Sequence, residues 1–176
     1  MRRMLWVPRQ IERFLRVVEG IATALTMGLA ILVFVNVLLR YVFGMSAMAV
    51  QELQWYFHAF GFLLAMAPAL WIDRHVRIDT FYARFPTSWQ RWVNVGGTFF
   101  FLLPFAGLVI WASYDFVAYS FSIREASPNP GGLPALFVFK AVLPLSFFLL
   151  VLAAIGLLWR WLSNLDEDSG RKEGGL

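Results

Sequence analysis

The chain is 176 residues long, 60% hydrophobic and only 15% charged, with a formal net charge of +4 and no cysteine. A soluble domain carries about 25% charged residues, so this composition excludes an ordinary water-soluble fold. The missing thiols exclude a disulfide framework and any thiolate-held metal or iron–sulfur site. In so apolar a chain the arginine excess points to a membrane face, not to nucleic acid.

Residues 1–18 mix five arginines (Arg2, Arg3, Arg9, Arg13, Arg16) with apolar side chains. Ile11, Phe14, Leu15 and Val18 follow helical spacing, which predicts a short amphipathic helix lying on the inner leaflet, its arginines against anionic lipid head groups. The apolar run that follows starts too late and runs too long for a secretory leader, so it reads as a retained first span. Glu19 stands beside Arg16 and is expected to pair with it.

Four apolar runs come next, at about 20–39, 53–72, 92–121 and 136–162. A hydrocarbon core about 30 Å thick takes about 20 residues at 1.5 Å rise, and all four reach that length. With no water to satisfy the backbone, such runs must be helices. The predicted class is therefore an all-α membrane protein: a basic segment 1–18, a four-helix transmembrane domain 19–162, and a polar, glycine-rich tail 163–176 expected to lack structure.

Arginine and lysine orient the spans. Twelve lie in the N-terminal segment, the second connection and the C-terminal end, against only Arg40, Arg124 and Lys140 in the other two connections. Positive residues collect on the cytoplasmic side, so both termini are predicted inside. An even number of spans independently puts them on one side.

The first connection is short. Asn36 and Arg40 share a face near the end of the first span, and Glu52 opens the second. Arg40 can snorkel to head groups or pair with Glu52, and such a pair would clamp the first hairpin. Along the second span Gln51, Trp55 and His58 form a stripe more polar than lipid tolerates, so it is expected to face protein. His58 is read as a hydrogen-bonded packing residue in preference to a proton relay.

The second connection carries Asp73, His75, Arg77 and Asp79, with Asp73 and Arg77 spaced to pair on one helix face. Its aromatics Phe81, Tyr82, Phe85 and Trp89 suit the head-group level, and Thr87 or Ser88 can cap the next helix. Asp115 lies in the outer third of the third span among Trp111, Tyr114 and Tyr119, where a hydrogen bond or a neighbouring subunit is expected to take it. The stretch from Ser127 to Pro134 cannot be helical, being rich in proline and glycine. It must lie on the outer face, either held in a defined turn or simply exposed. Pro68, Pro104 and Pro144 predict kinks or freed carbonyls within spans. The glycines at 28, 44, 61, 96, 97 and 107 offer places of close helix approach.

Nothing here marks an enzyme. His58 and His75 stand about 25 Å apart by helical rise and cannot share a haem. No nucleophile elbow, zinc motif or phosphate-cradling glycine loop occurs. Neither paired repeats nor a clustered midplane site marks a carrier acting alone. The residues favour an accessory subunit of a larger membrane complex. A free-standing four-span anchor or small channel is the alternative.

The order Asn36-x-x-x-Arg40-Tyr41, then Gln51-Glu52-Leu53, then Asp73-Arg74-His75-Val76-Arg77-Ile78-Asp79 resembles the DctQ family, the small membrane subunit of tripartite ATP-independent periplasmic (TRAP) transporters. The loop from Glu125 to Pro134, followed by Lys140 and Pro144, resembles one branch of that family. The likeness extends over about residues 12–162. It implies a scaffold subunit without cofactors, one partner being a large multi-span membrane subunit that carries the substrate and sodium sites. The other partner it implies is a periplasmic solute-binding protein that delivers carboxylate-type organic acids. The motif residues would then serve structure or subunit contact, not catalysis.

Overall fold

In the computed structural model, residues 6–45, 47–72 and 86–173 are described. Helix α1 (Trp6–Val42) is followed by α2 (Met48–Trp71), α3 (Thr87–Gly97), a π-helical turn (Thr98–Leu102), α4 (Leu103–Ser122) and α5 (Leu136–Glu173). The turn joins α3 to α4 without a break, so the described residues form four membrane-length rods, each apolar enough to cross a bilayer. The all-helical, four-span class read from the sequence is the fold observed.

The boundaries differ from the expected ones for physical reasons. The basic segment and the first span are one helix: Leu15 and Val18 do not lie on a leaflet but pack with Ala67 and Trp71 of α2 and with Leu149, Ala153 and Leu157 of α5. Burying that stripe favours continuing the helix over bending it into the interface. Arg16 pairs with Glu12 at 2.9 Å, one turn back, not with Glu19. At the far end, α5 runs on to Glu173, into the segment expected to be an unstructured tail.

Helix α3 starts at Thr87 with no side-chain cap; the Pro86 carbonyl receives the N–H groups of Trp89 and Gln90 at 2.9 and 3.1 Å. The N-cap position is thus Pro86 and not the expected Thr87 or Ser88. The π turn sits immediately before Pro104. Proline has no N–H to give Phe100, and its ring crowds that carbonyl. The chain widens there, with Leu103 N–H bonding to Thr98 O, five residues back. The freed carbonyl expected at Pro104 takes this form.

Helix α5 is the centre of the bundle and packs on α1, α2 and α4. Half of its most apolar window is buried, against 6% for that of α1. A second cluster, Ala106 with Phe147 and Leu150, joins α4 to it. Small residues at these crossings let backbones approach, because the bilayer offers no hydrophobic gain for association and close packing must supply the attraction. Thr26, Ser113 and Ser146 bond to carbonyls of their own helices at 2.6–2.9 Å, so their hydroxyls are satisfied inside hydrocarbon.

Of the glycines expected at close approaches, Gly28 and Gly61 serve that purpose. A Cβ at Gly28 would come 2.8 Å from the Phe57 ring, and one at Gly61 would come 2.9 Å from Thr26 Oγ1. Gly96, Gly97 and Gly107 face open space, and Gly44 takes φ +63° to turn the chain out of α1. Gly156, which the sequence did not single out, is tighter: its Cβ would meet Trp71 at 2.8 Å and Ile11 at 3.0 Å. Trp71 is buried and cannot move aside. Gly156→Ala should thus cost about 1–3 kcal/mol by overpacking, whereas Gly107→Ala should be neutral or stabilise by up to about 1 kcal/mol through helix propensity. Thermal melting of the two variants in detergent checks this; equal melting temperatures would refute the packing account.

Candidate functional site

The most highly organised polar site lies at the end of the bundle opposite the chain termini. Glu52 is in the first turn and a half of α2, and its carboxylate points at the loop between α4 and α5. Ser127 Oγ donates to Glu52 Oε1 in a short hydrogen bond, and Asn129 Nδ2 donates to the same oxygen at 3.0 Å. The Leu133 N–H donates to Oε2 at 2.7 Å. One carboxylate therefore fixes both limbs of the loop.

The loop is built to receive it. Ser127 N–H bonds to Leu133 O at 3.0 Å, Gly132 N–H to Asn129 O at 3.0 Å, and Asn129 N–H to Ser127 Oγ at 3.1 Å. Gly131 has φ +75°. Any side chain at Gly132 would run into Ser127 and come 2.8 Å from Glu52 Oε1, so glycine is required there. Of the two sequence readings of this loop, the defined turn is the one observed.

Arg124 and Ala135 hold the loop's two ends in the left-handed region, at φ +48° and +64°. Such a conformation costs a non-glycine residue roughly 1–2 kcal/mol, so the surrounding contacts must enforce it. After Arg124 the Glu125 N–H reaches back to Ser120 O at 3.0 Å, a Schellman-type end to α4. Glu125 O then receives the Leu136 N–H at 2.8 Å, closing the loop's base. The Glu125 side chain pairs with Lys140 Nζ at 2.5 Å, and that ammonium also lies 4.3 Å from the centroid of Phe116.

The hairpin clamp expected from the sequence does not form. Arg40 makes no ion pair with Glu52; it ends α1 exposed, with Asn36 half-buried one turn earlier. The reason is competition: the loop brings two side-chain donors and a backbone N–H to Glu52 and leaves Arg40 to the head-group level. The carboxylate joins α2 to the α4–α5 connection, not α2 to α1. Below it, Tyr56 stacks on Phe139 of α5 with centroids 4.7 Å apart. A cavity of about 320 Å³ opens beside them, bordered by Gln51, Trp55 and Pro128 as well.

The other expected residues fall into three groups. Trp55 and His58 lie exposed on α2, and among the described residues His58 has no hydrogen bond, contrary to a packing role within this chain. Asp115 is exposed on α4. Asp73, His75, Arg77 and Asp79 lie outside the described residues. The anchors Ser127, Asn129 and Leu133 were not picked out individually from the sequence. The signal for them was a short-polar pair around Pro128 in a proline- and glycine-rich turn.

This architecture defines a multi-pass helical membrane protein whose α4–α5 loop is pinned by the Glu52 carboxylate. The family model for tripartite ATP-independent periplasmic transporters, DctQ component, matches residues 29–164, and the chain belongs to that family. It is thus a component of a TRAP transporter, a family of transporter components and not of enzymes. No curated protein matches it.

Two expectations follow. Glu52→Ala should release the loop and raise its proteolysis rate on the order of tenfold or more, as local opening becomes accessible, while Arg40→Ala should leave that rate unchanged. Limited proteolysis of detergent-solubilised protein decides, and equal sensitivity of the two variants would overturn the Glu52 anchor. The second concerns pH. The Lys140 ammonium holds the Glu125 carboxyl below its ordinary value. The folded form therefore binds that proton less readily than the unfolded chain, so its stabilisation is complete above about pH 4.3 and disappears as pH falls through the lowered value. Melting temperature measured from pH 3 to 7 should show this loss, and Lys140→Met should remove the Glu125 part of it. An unchanged profile in Lys140→Met would refute the assignment.

Proposed function

We propose that this chain is the small scaffold subunit of a sodium-coupled TRAP importer in the bacterial inner membrane, with both termini in the cytoplasm. A large elevator-type subunit carries the substrate and sodium sites, and this subunit widens its static frame. A periplasmic binding protein brings the solute, an organic acid of the carboxylate type, and docks partly on the outer end of this bundle. Membership of the DctQ family supports the partners. The twelve-to-three distribution of Arg and Lys supports the orientation.

The observation that carries the reading is the pinned loop. Polar groups at the outer end are spent on one another: Glu52 on Ser127, Asn129 and Leu133, and Glu125 on Lys140. Such a set makes a rigid outer platform, suited to hold a moving neighbour and to receive a soluble protein, and unsuited to bind and release an ion.

Because the chain has no cysteine, a single cysteine at Asn129 reports topology cleanly. It should react with an impermeant maleimide once the outer membrane is breached, without opening of the inner membrane. From the same cells, a tag on this subunit should retain a much larger multi-span membrane protein through purification. Labelling only after the inner membrane is permeabilised would reverse the orientation, and recovery of this chain alone would refute the scaffold role.

A further inference from the structure

The exposed polar group hardest to reconcile with lipid is His58. Helix α2 is 24 residues long, about 36 Å, only about 6 Å more than the hydrocarbon core. His58 lies ten residues in from Met48, about 15 Å along the axis. Even with the whole excess outside at that end, its Cα stays about 9 Å inside the hydrocarbon. The residue is exposed and, among the described residues, has no hydrogen-bond, ionic or ring partner. Imidazole is too short to reach the head groups from that depth, so bare lipid would leave its nitrogens unsatisfied.

Asp115 makes a useful contrast. The rod that carries it is 34 residues long, about 51 Å, and overshoots the core by about 20 Å. Asp115 stands seven residues, about 10 Å, from the end at Ser122. Trp111, Tyr114 and Tyr119 around it, all more than two-thirds exposed, suit an interfacial belt. Its carboxylate can be hydrated at the boundary and requires no protein partner.

The surface around His58 is continuous. Trp55 and Phe62 flank it on the same side of α2 and are 73% and 64% exposed. A cavity of about 380 Å³ lies against it, bordered by Leu29, Gln54, Trp55, Ala59 and Phe139. We infer that this face of α2, centred on His58, is where a transmembrane helix of the large subunit docks, presenting a hydrogen-bonding side chain at the depth of the imidazole. The inference rests on the reading of the chain as a TRAP scaffold subunit and gives that partner its place. Helix association in bilayers is built from close packing and interhelical hydrogen bonds, and this face offers both an indentation and an unused donor and acceptor.

The test uses the complex co-expressed in native membranes. A photo-crosslinking residue replaces Phe62 in one version and Leu108, exposed on α4, in another. The expected result is an adduct with the large subunit at Phe62, several-fold stronger than at Leu108. His58→Leu should lower co-purified large subunit about threefold to tenfold, the range of a single interhelical hydrogen bond, while His58→Gln, still able to hydrogen-bond, should retain most of it. An intact wild-type complex with Phe62 adducts no stronger than those at Leu108, or with full yield in His58→Leu, overturns the docking face and leaves the scaffold reading standing. Failure of the wild type to retain any large subunit removes both.

Discussion

A backbone in hydrocarbon has only protein groups to bond with, and a side chain there finds no water to fall back on. This constraint sets the helices, their lengths and the fate of each polar residue they carry. Thr26, Ser113 and Ser146 bond to carbonyls of their own helices. Pro104, unable to donate, converts the preceding turn to π geometry instead of leaving the helix open. The same requirement makes an exposed, unbonded imidazole on α2 a statement about a neighbour.

Packing answers a different need. Lipid tails are as apolar as leucine, so burial of α5 among the other helices gains from contact and fit and not from escape from water. Between helices, glycine meets a large ring at two close fits: Gly28 with Phe57 and Gly156 with Trp71. Trp71 also lies under Arg160, whose guanidinium is 5.5 Å from the ring. One tryptophan thus joins α1, α2 and α5 at the end where the basic residues collect. At the opposite end the Glu52 carboxylate plays the corresponding part for the α4–α5 loop. The two ends are held by different physics: ring packing at the terminal end, charge-assisted hydrogen bonds at the loop end.

The sequence made the spans legible because a bilayer demands about 20 apolar residues in a row, and each span announces itself without reference to the others. What it did not disclose was pairing between distant segments. Glu52 and Arg40 are opposite charges across a short connection, and proximity in sequence favoured joining them. The true partners, Ser127, Asn129 and the Leu133 N–H, lie more than seventy residues away, and all three are neutral. Charge-matching along the chain cannot find a backbone donor. The continuity of α1 was hidden for a related reason: arginines at 9, 13 and 16 read as head-group residues, whereas the alternate face, Leu15 and Val18, is core. Amphipathicity shows that a helix has a covered side but not whether lipid or protein covers it.

The distribution of satisfied and unsatisfied polar groups divides the molecule into a finished part and an open one. The α4–α5 loop is finished: the carboxylates of Glu52 and Glu125 are bonded, and the backbone strain at Arg124 and Ala135 is held by the surrounding turns. Helix α2 is closely packed on the sides that meet α1 and α5, where Gln54 bonds to Leu32 O and the Tyr56 ring stacks on Phe139, although the buried Tyr56 hydroxyl has no partner among the described residues. On its remaining side Trp55, His58 and Phe62 stand uncovered within a helix long and apolar enough to cross a membrane. A chain that spends Glu52 on its own loop yet leaves the His58 imidazole without a partner among the described residues is complete at that loop and open on one face of α2. Under the proposed function, that asymmetry is what a frame requires: a fixed loop at one end, and a lateral surface completed by the subunit it holds.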